Sequence, residues 1–251
     1  GGYDLKGSYV IGDRLTDVQR LPMFPPMIAS ADLDGDGQTE QYAASCDDLF
    51  RVERQGDHLR LSSASPEHTA TRSCATSLAA LDLDGDGRPE LAVGTSTWTG
   101  YDVRILEPGP QGLRISTRRR IGETLYVQAM RTAVGPAILA WHSVDPREVT
   151  NRQMFRPDEL EGEERGLHVL TLGPDGLERR AMHPVTDLPT LSLVAAVSVA
   201  KGVGYAVLVG DLTGDGLDDV VFGANQGWTL VLVQHADGRL TELNFPEFFP
   251  L

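Results

Sequence analysis

The sequence predicts an all-β fold, a β-propeller of four-stranded antiparallel blades, on three observations. A nine-residue acidic motif occurs three times, as DLDGDGQTE from Asp32, DLDGDGRPE from Asp82 and DLTGDGLDD from Asp211. Short apolar runs stand before and after each copy. Pairs of alternating runs around glycine-containing turns recur further along the chain.

The motif comes first, because internal repeats decide architecture before local propensity does. Asp32 and Asp82 stand 50 residues apart, and Asp82 and Asp211 stand 129 apart, which leaves room for one or two diverged units. The flanking runs are Pro26 to Ala31, Ser77 to Leu81 and Tyr205 to Gly210 before the motifs, and Gln41 to Ser45, Leu91 to Gly94 and Val220 to Gly223 after them. They are short, rich in Val, Ala and Leu, and bounded by Gly or Asp, as buried strands are. The alternating pairs are VRILEP and LRISTR around 109–112, LHVLTL and LERRA around 173–176, and TLVLVQ and RLTEL around 236–238. Four strands per unit of about 50 residues describe one propeller blade.

The chain reads as a single domain over 1–251, with blades at about 27–76, 77–125, 126–185 and 186–251. Residues 1–26 are expected to supply an extra strand or ring closure. The third unit lacks the acidic motif, and Gly135-Pro136 is expected to replace it with a short turn. Four blades are a minimum, and three readings stay open: a fragment of a larger ring, an unusually small ring, or a ring completed by another segment.

The motif carries the chemistry. Carboxylates at positions 1, 3, 5 and 9 with glycines at 4 and 6 suit calcium, which takes six to eight oxygens at about 2.3–2.6 Å. Glycines let the backbone turn left-handed between ligands. The expected sites are Asp32, Asp34, Asp36 and Glu40 with the carbonyl of Gln38; Asp82, Asp84, Asp86 and Glu90 with the carbonyl of Arg88; and Asp211, Thr213, Asp215 and Asp219 with the carbonyl of Leu217. Up to three Ca2+ ions are implied, and they would bring the formal charge of −14 to about −8. Thr213 replaces a carboxylate with a neutral hydroxyl, so the third site is expected to bind more weakly. An EF-hand needs a bidentate Glu at position 12 and flanking helices. Position 12 is Ala43, Val93 and Phe222, and the flanks are strand-like.

These loops and their spacing resemble the FG-GAP/VCBS repeats of integrin α-chain propellers and bacterial surface proteins. The resemblance is strong over about 27–120 and 203–243, with Gly223-Ala224-Asn225 retaining part of the family's Gly-Ala-Pro. It implies that each calcium loop joins the innermost strand of a blade (A) to the next (B), which the strand reading also gives.

Calcium loops and C–D turns then share one face of the disc, and B–C and D–A loops share the other. Cys46 and Cys74 fall on neighbouring loops of that second face, compatible with a disulfide, with two buried free thiols as the alternative. The chain's two cysteines show no zinc-ligand spacing. The same face is expected to bind a partner through Trp98 and Tyr101 in one loop, Trp141, Arg152, Met154 and Phe155 at the insertion 142–166, and Trp228 in the last blade.

Composition narrows the function classes. A chain with 41% hydrophobic and 23% charged residues has enough apolar material for a sizeable core. The charge of −14 and pI of about 4.8 argue against nucleic acid and against anionic lipid. No apolar run is long enough to span a bilayer, and no signal peptide is visible within this sequence, whose Gly1-Gly2 reads as a trimmed or engineered start. Motifs for serine hydrolases, zincins, P-loops and dinucleotide binding are missing. The six histidines are scattered singly, and Glu159, Glu161, Glu163 and Glu164 read as a solvated charge run. The sequence therefore points to a non-catalytic, calcium-stabilised module outside the cytoplasm (extracellular, cell-surface or periplasmic) that holds a protein partner. A lectin-like glycan binder and an accessory domain or subunit of a carbohydrate-active enzyme are the alternatives, and a glycosidase or lyase with carboxylates hidden on loops is the catalytic one.

Overall fold

A computed structural model describes residues 8–11, 14–17, 27–44, 48–56, 58–71, 74–96, 102–144, 163–184, 205–224 and 228–243. Among them are eighteen strands and one short helix. The first sheet holds β1 (Ser8–Ile11), β2 (Arg14–Asp17), β3 (Met27–Ala31), β4 (Glu40–Ala44), β5 (Leu49–Gln55) and β6 (His58–Ser63). Helix α1 (Pro66–Ala70) leads into the second sheet, made of β7 (Cys74–Leu81), β8 (Glu90–Ser96), β9 (Asp102–Gly109) and β10 (Gly112–Arg120). The third holds β11 (Glu123–Thr132), β12 (Gly135–Val144), β13 (Gly166–Gly173) and β14 (Gly176–Pro184). The fourth holds β15 (Tyr205–Gly210), β16 (Asp219–Ala224), β17 (Trp228–Gln234) and β18 (Leu240–Glu242).

From β3 onward each sheet is a four-stranded antiparallel meander in chain order, as in propeller blades. Strands β3, β7, β11 and β15 are neighbours in that order, so they are the inner strands. Strand β1 extends the outer edge of the first sheet by pairing parallel to β6, and β2 pairs back on β1. Two boundaries differ from the sequence reading: the second blade begins at Cys74 and the third at Glu123. The third blade turns at Ala133-Val134, while Gly135 and Pro136 already pair with Thr132 and Arg131. Proline fits there because a strand's first residues tolerate a missing amide donor. The apolar run 191–200 lies outside the described residues.

Period-2 side-chain alternation distributes the core among three interfaces. Leu91 and Val93 of β8 pack with Ala29, Tyr42 and Leu49 of the first sheet and with Leu33 of its β3–β4 loop. The intervening Ala92 joins Val103, Ile105, Val127 and Ile138 between the second and third sheets. Leu139 and Trp141 of β12 join Val220, Phe222, Leu230 and Leu232 between the third and fourth. Both faces of the middle sheets are therefore apolar, which the sequence shows as continuous rather than alternating hydrophobic runs. At the ends of the array, Ile28 and Leu208 are 61% and 63% exposed.

Polar seams add direction to this packing. A bulge after Ala75 lets Thr76 donate to Gly94 O at 3.0 Å and to Thr124 O, while Ser77 Oγ accepts the amide of Val127 at 2.7 Å. Gly94 must be small here, because a Cβ would lie 2.7 Å from Ser77 Oγ. Arg131 at the end of β11 grips Asp218: its amide donates to Oδ2 at 2.6 Å and its guanidinium to Oδ1 at 2.8 Å. Around α1, Arg104 is buried with Asp102, donating to its Oδ1 at 2.8 Å and to Thr71 Oγ1 at 2.7 Å.

Candidate metal loops

All three acidic motifs fall between the first and second strands of a sheet, at β3–β4, β7–β8 and β15–β16. Each loop closes by the same internal bonds. The position-1 carboxylate gathers the amides of both glycines: Asp32 accepts from Gly35 and Gly37 at 2.8 and 2.9 Å, Asp82 from Gly85 and Gly87 at 2.8 and 3.0 Å, and Asp211 from Gly214 and Gly216 at 2.6 and 2.9 Å. Those glycines sit at φ between 73° and 89°, where a Cβ is strained. The position-5 carboxylate accepts the amide two residues on, at Gln38, Arg88 and Leu217.

Position 9 shows a role that spacing alone does not reveal. Glu40, Glu90 and Asp219 are buried and fold back onto the amide of the position-2 leucine, at 3.2 Å from Leu33, 2.7 Å from Leu83 and 2.9 Å from Leu212. These carboxylates clasp the loop to the start of the next strand. The flanking elements are strands, so the loops are not EF-hands.

The loops differ in how far their carboxylates converge. Asp82, Asp84, Asp86 and Glu90 each place one oxygen within 4.8 Å of all the others. In the first loop only Asp32, Asp34 and Asp36 do so. Glu40 stands outside this group, and Arg51 donates to its Oε1 at 3.2 Å. Asp211, Asp215 and Asp219 do not form such a group among the described residues. The Asp219 carboxylate is divided between Leu212, Thr213 and Gln234, whose amides reach it at 2.9, 3.1 and 3.0 Å.

The donor chemistry of the second loop fits a hard divalent cation. Four carboxylates converge with no basic side chain paired to them among the described residues. Burial first, and then the negative charges of Asp84 and Asp82, push the Glu90 carboxyl up to about 7, against the opposing hydrogen bond from Leu83. A bound cation would remove that penalty. Beside the first loop, burial and the charge of Glu40 push the Tyr42 phenol up to about 12.

The expected partner face is only partly described. Trp98, Tyr101, Arg152, Met154, Phe155 and Cys46 lie outside the described residues, as does the side chain of Trp228. Trp141 is corrected: it is 3% exposed, with Phe222 edge-on at 4.7 Å and Tyr126 at 6.1 Å, so it belongs to the core rather than to a contact surface. It sits on β12, where the alternation turns it toward the fourth sheet. Cys74 is disulfide-bonded.

The root of the insertion is more structured than a solvated charge run. Glu163 pairs with Arg119 and, at 2.6 Å, with Arg179. The Glu164 carbonyl accepts from His168 Nε2 at 2.8 Å and His142 Nδ1 at 3.1 Å. The carbonyl can only accept, so these nitrogens carry the protons. Both histidines are buried, with rings 5.6 Å apart.

Residues 32–93 match the family model of the FG-GAP-like repeat, a span that covers the first two loops. A solved structure of a protein from Lactobacillus plantarum shares 13% identity over 88% of this chain, with a TM-score of 0.50. The chain spans 57% of that protein's length. A structure of BBS1N in complex with ARL6DN aligns over 86% of this chain and 79% of its own at 13% identity, with a TM-score of 0.31, too low to bear on the fold. No curated protein sequence matches the chain. The four sheets are propeller blades, and the first two loops lie within the span that matches the FG-GAP-like repeat. No helix among the described residues is long and apolar enough to cross a membrane.

Proposed function

We propose that this chain is a calcium-stabilised interaction module that works outside the cytoplasm and holds a protein partner on the face opposite its metal loops. The observation that carries the metal half of this reading is the second loop, where the buried Glu90 converges with three other carboxylates and no basic side chain among the described residues pairs with them. A divalent cation would take oxygens from Asp82, Asp84, Asp86 and Glu90, with the carbonyl of Arg88 as a further ligand. Bound there, it supplies positive charge that locks the β7–β8 connection. The first loop would use Asp32, Asp34, Asp36 and the carbonyl of Gln38, with Glu40 completing it. The third would use Asp211, Thr213, Asp215, Asp219 and the carbonyl of Leu217, more weakly. FG-GAP-like repeats serve adhesion and interaction rather than catalysis, which supports the non-enzymatic reading.

The partner half rests on the anchoring of the insertion. Ion pairs at Glu163 and two buried histidines at Glu164 fix the end of the insertion where it enters β13. A Cys46–Cys74 bond on the same face would suit an oxidising compartment. Deleting residues 147–160 is expected to leave the fold intact and abolish binding of the cognate partner in a surface-plasmon assay. Retained binding would remove the insertion from the interface. Recognition on a glycan array would replace the protein partner with a sugar.

A further inference from the structure

The first two loops have nearly the same sequence and the same internal bonds, yet only one gathers all four carboxylates. The difference comes from the neighbouring strand. Position 11 of the first motif is Tyr42, whose partner on β5 is Arg51. Position 11 of the second is Ala92, whose partner on β9 is Ile105, and that of the third is Val221, opposite Val231 on β17. Arg51 is therefore a cation that the first blade places where the other two carry an apolar residue. It reaches Glu40 Oε1 at 3.2 Å, while Glu40 Oε2 stays on the Leu33 amide at 3.2 Å. A second guanidinium, that of Arg88, overhangs the same loop, with Nε 3.3 Å from where a Cβ on Gly35 would be. Among the described residues, the hydrogen bonds to the second loop's carboxylates come from backbone amides.

We propose that Arg51 is a built-in counter-cation of the first loop, which competes with metal for Glu40 and makes the second loop the first to fill. This rests on the metal reading above and adds an order to it. A cation entering the first loop must displace the guanidinium from Glu40 or bind with three carboxylates only. It also meets the repulsion of a positive charge a few ångströms away. The same guanidinium keeps the first loop closed when metal is scarce. The first blade then keeps its geometry at cation concentrations that leave the second loop unfilled. The pair gives the module one loop that depends on metal and one that does not.

The test is calorimetric titration of the full chain with Ca2+, with Tb3+ luminescence in parallel. Asp84→Asn/Asp86→Asn disables the second loop while keeping acceptors for the amides of Asp86 and Arg88. In that background the remaining affinity is expected to tighten about tenfold with Arg51→Met and to stay unchanged with Arg51→Lys, which keeps the charge. Circular dichroism of each variant confirms the fold. Unchanged or weakened binding in Arg51→Met overturns the counter-cation role, as does equal tightening by Arg51→Lys. If the unsubstituted chain binds neither ion, the metal reading itself fails and this inference goes with it.

Discussion

Asp84→Asn should have opposite effects on stability with and without calcium. The four converging oxygens of the second loop lie within 4.8 Å of one another. At that separation two unit charges repel by about 0.9 kcal/mol in water, and salt at physiological strength cuts this roughly in half. Asp84 takes part in three of the six pairs, so neutralising it relieves about 1 kcal/mol in the metal-free protein. The amide oxygen of Asn can still accept the Asp86 amide, which Asp84 Oδ1 now accepts at 2.9 Å. In EDTA the variant is therefore expected to melt about 2–4 °C above the parent. With calcium at 100 times its dissociation constant, the parent gains about 2.7 kcal/mol per site, and the variant loses most of that at this loop. The melting curves should cross over between the two conditions, as read by scanning calorimetry at matched ionic strength. A variant that melts below the parent in EDTA as well would refute the charge-crowding argument. A parent indifferent to calcium would refute the metal site.

Acid should destabilise the protein through two buried histidines. Burial, with Arg104 beside it, lowers His68 to about 4, and burial is also the main cause of the lowering of His168 to about 4. The unfolded chain then binds more protons below about pH 6.5, so stability is lost as pH falls from 6.5 toward 4, by about 2 kcal/mol per histidine at pH 5. Urea midpoints at pH 7 and pH 5 test this, and a His168→Gln variant that falls as steeply as the parent would count against it. Arg104→Met should cost about 3–5 kcal/mol by leaving Asp102 buried without its partner, and an intact urea midpoint would show the pair to be dispensable. Phe222→Ala should cost about 3–5 kcal/mol, because it empties the interface between the third and fourth sheets beside Trp141; a loss under 1 kcal/mol would mean that the sheets close over the gap.

Much of this protein follows from sequence alone. The repeat of DxDGDG, with Thr213 at the third position of the last copy, is enough to place three loops at strand junctions between apolar runs, because the glycines impose a turn and the carboxylates impose its hydrogen bonds. Strand alternation likewise predicts the sheets, since each residue's face depends only on local geometry. What lies between sheets is not local. Trp141 reads in sequence as a root of an exposed loop, but β12 directs it into the core against Phe222, 81 residues away in sequence. Glu163 reads as part of a solvated acidic run until the fold brings Arg119 and Arg179 to it. The two similar loops differ in their charged neighbours because β5 brings Arg51 to Glu40 while β9 offers Ile105 at the equivalent place. The sequence determines which residues form a loop, because that depends on neighbours along the chain. The tertiary structure decides the loop's charge balance, because electrostatic partners arrive from strands whose pairing no local pattern contains.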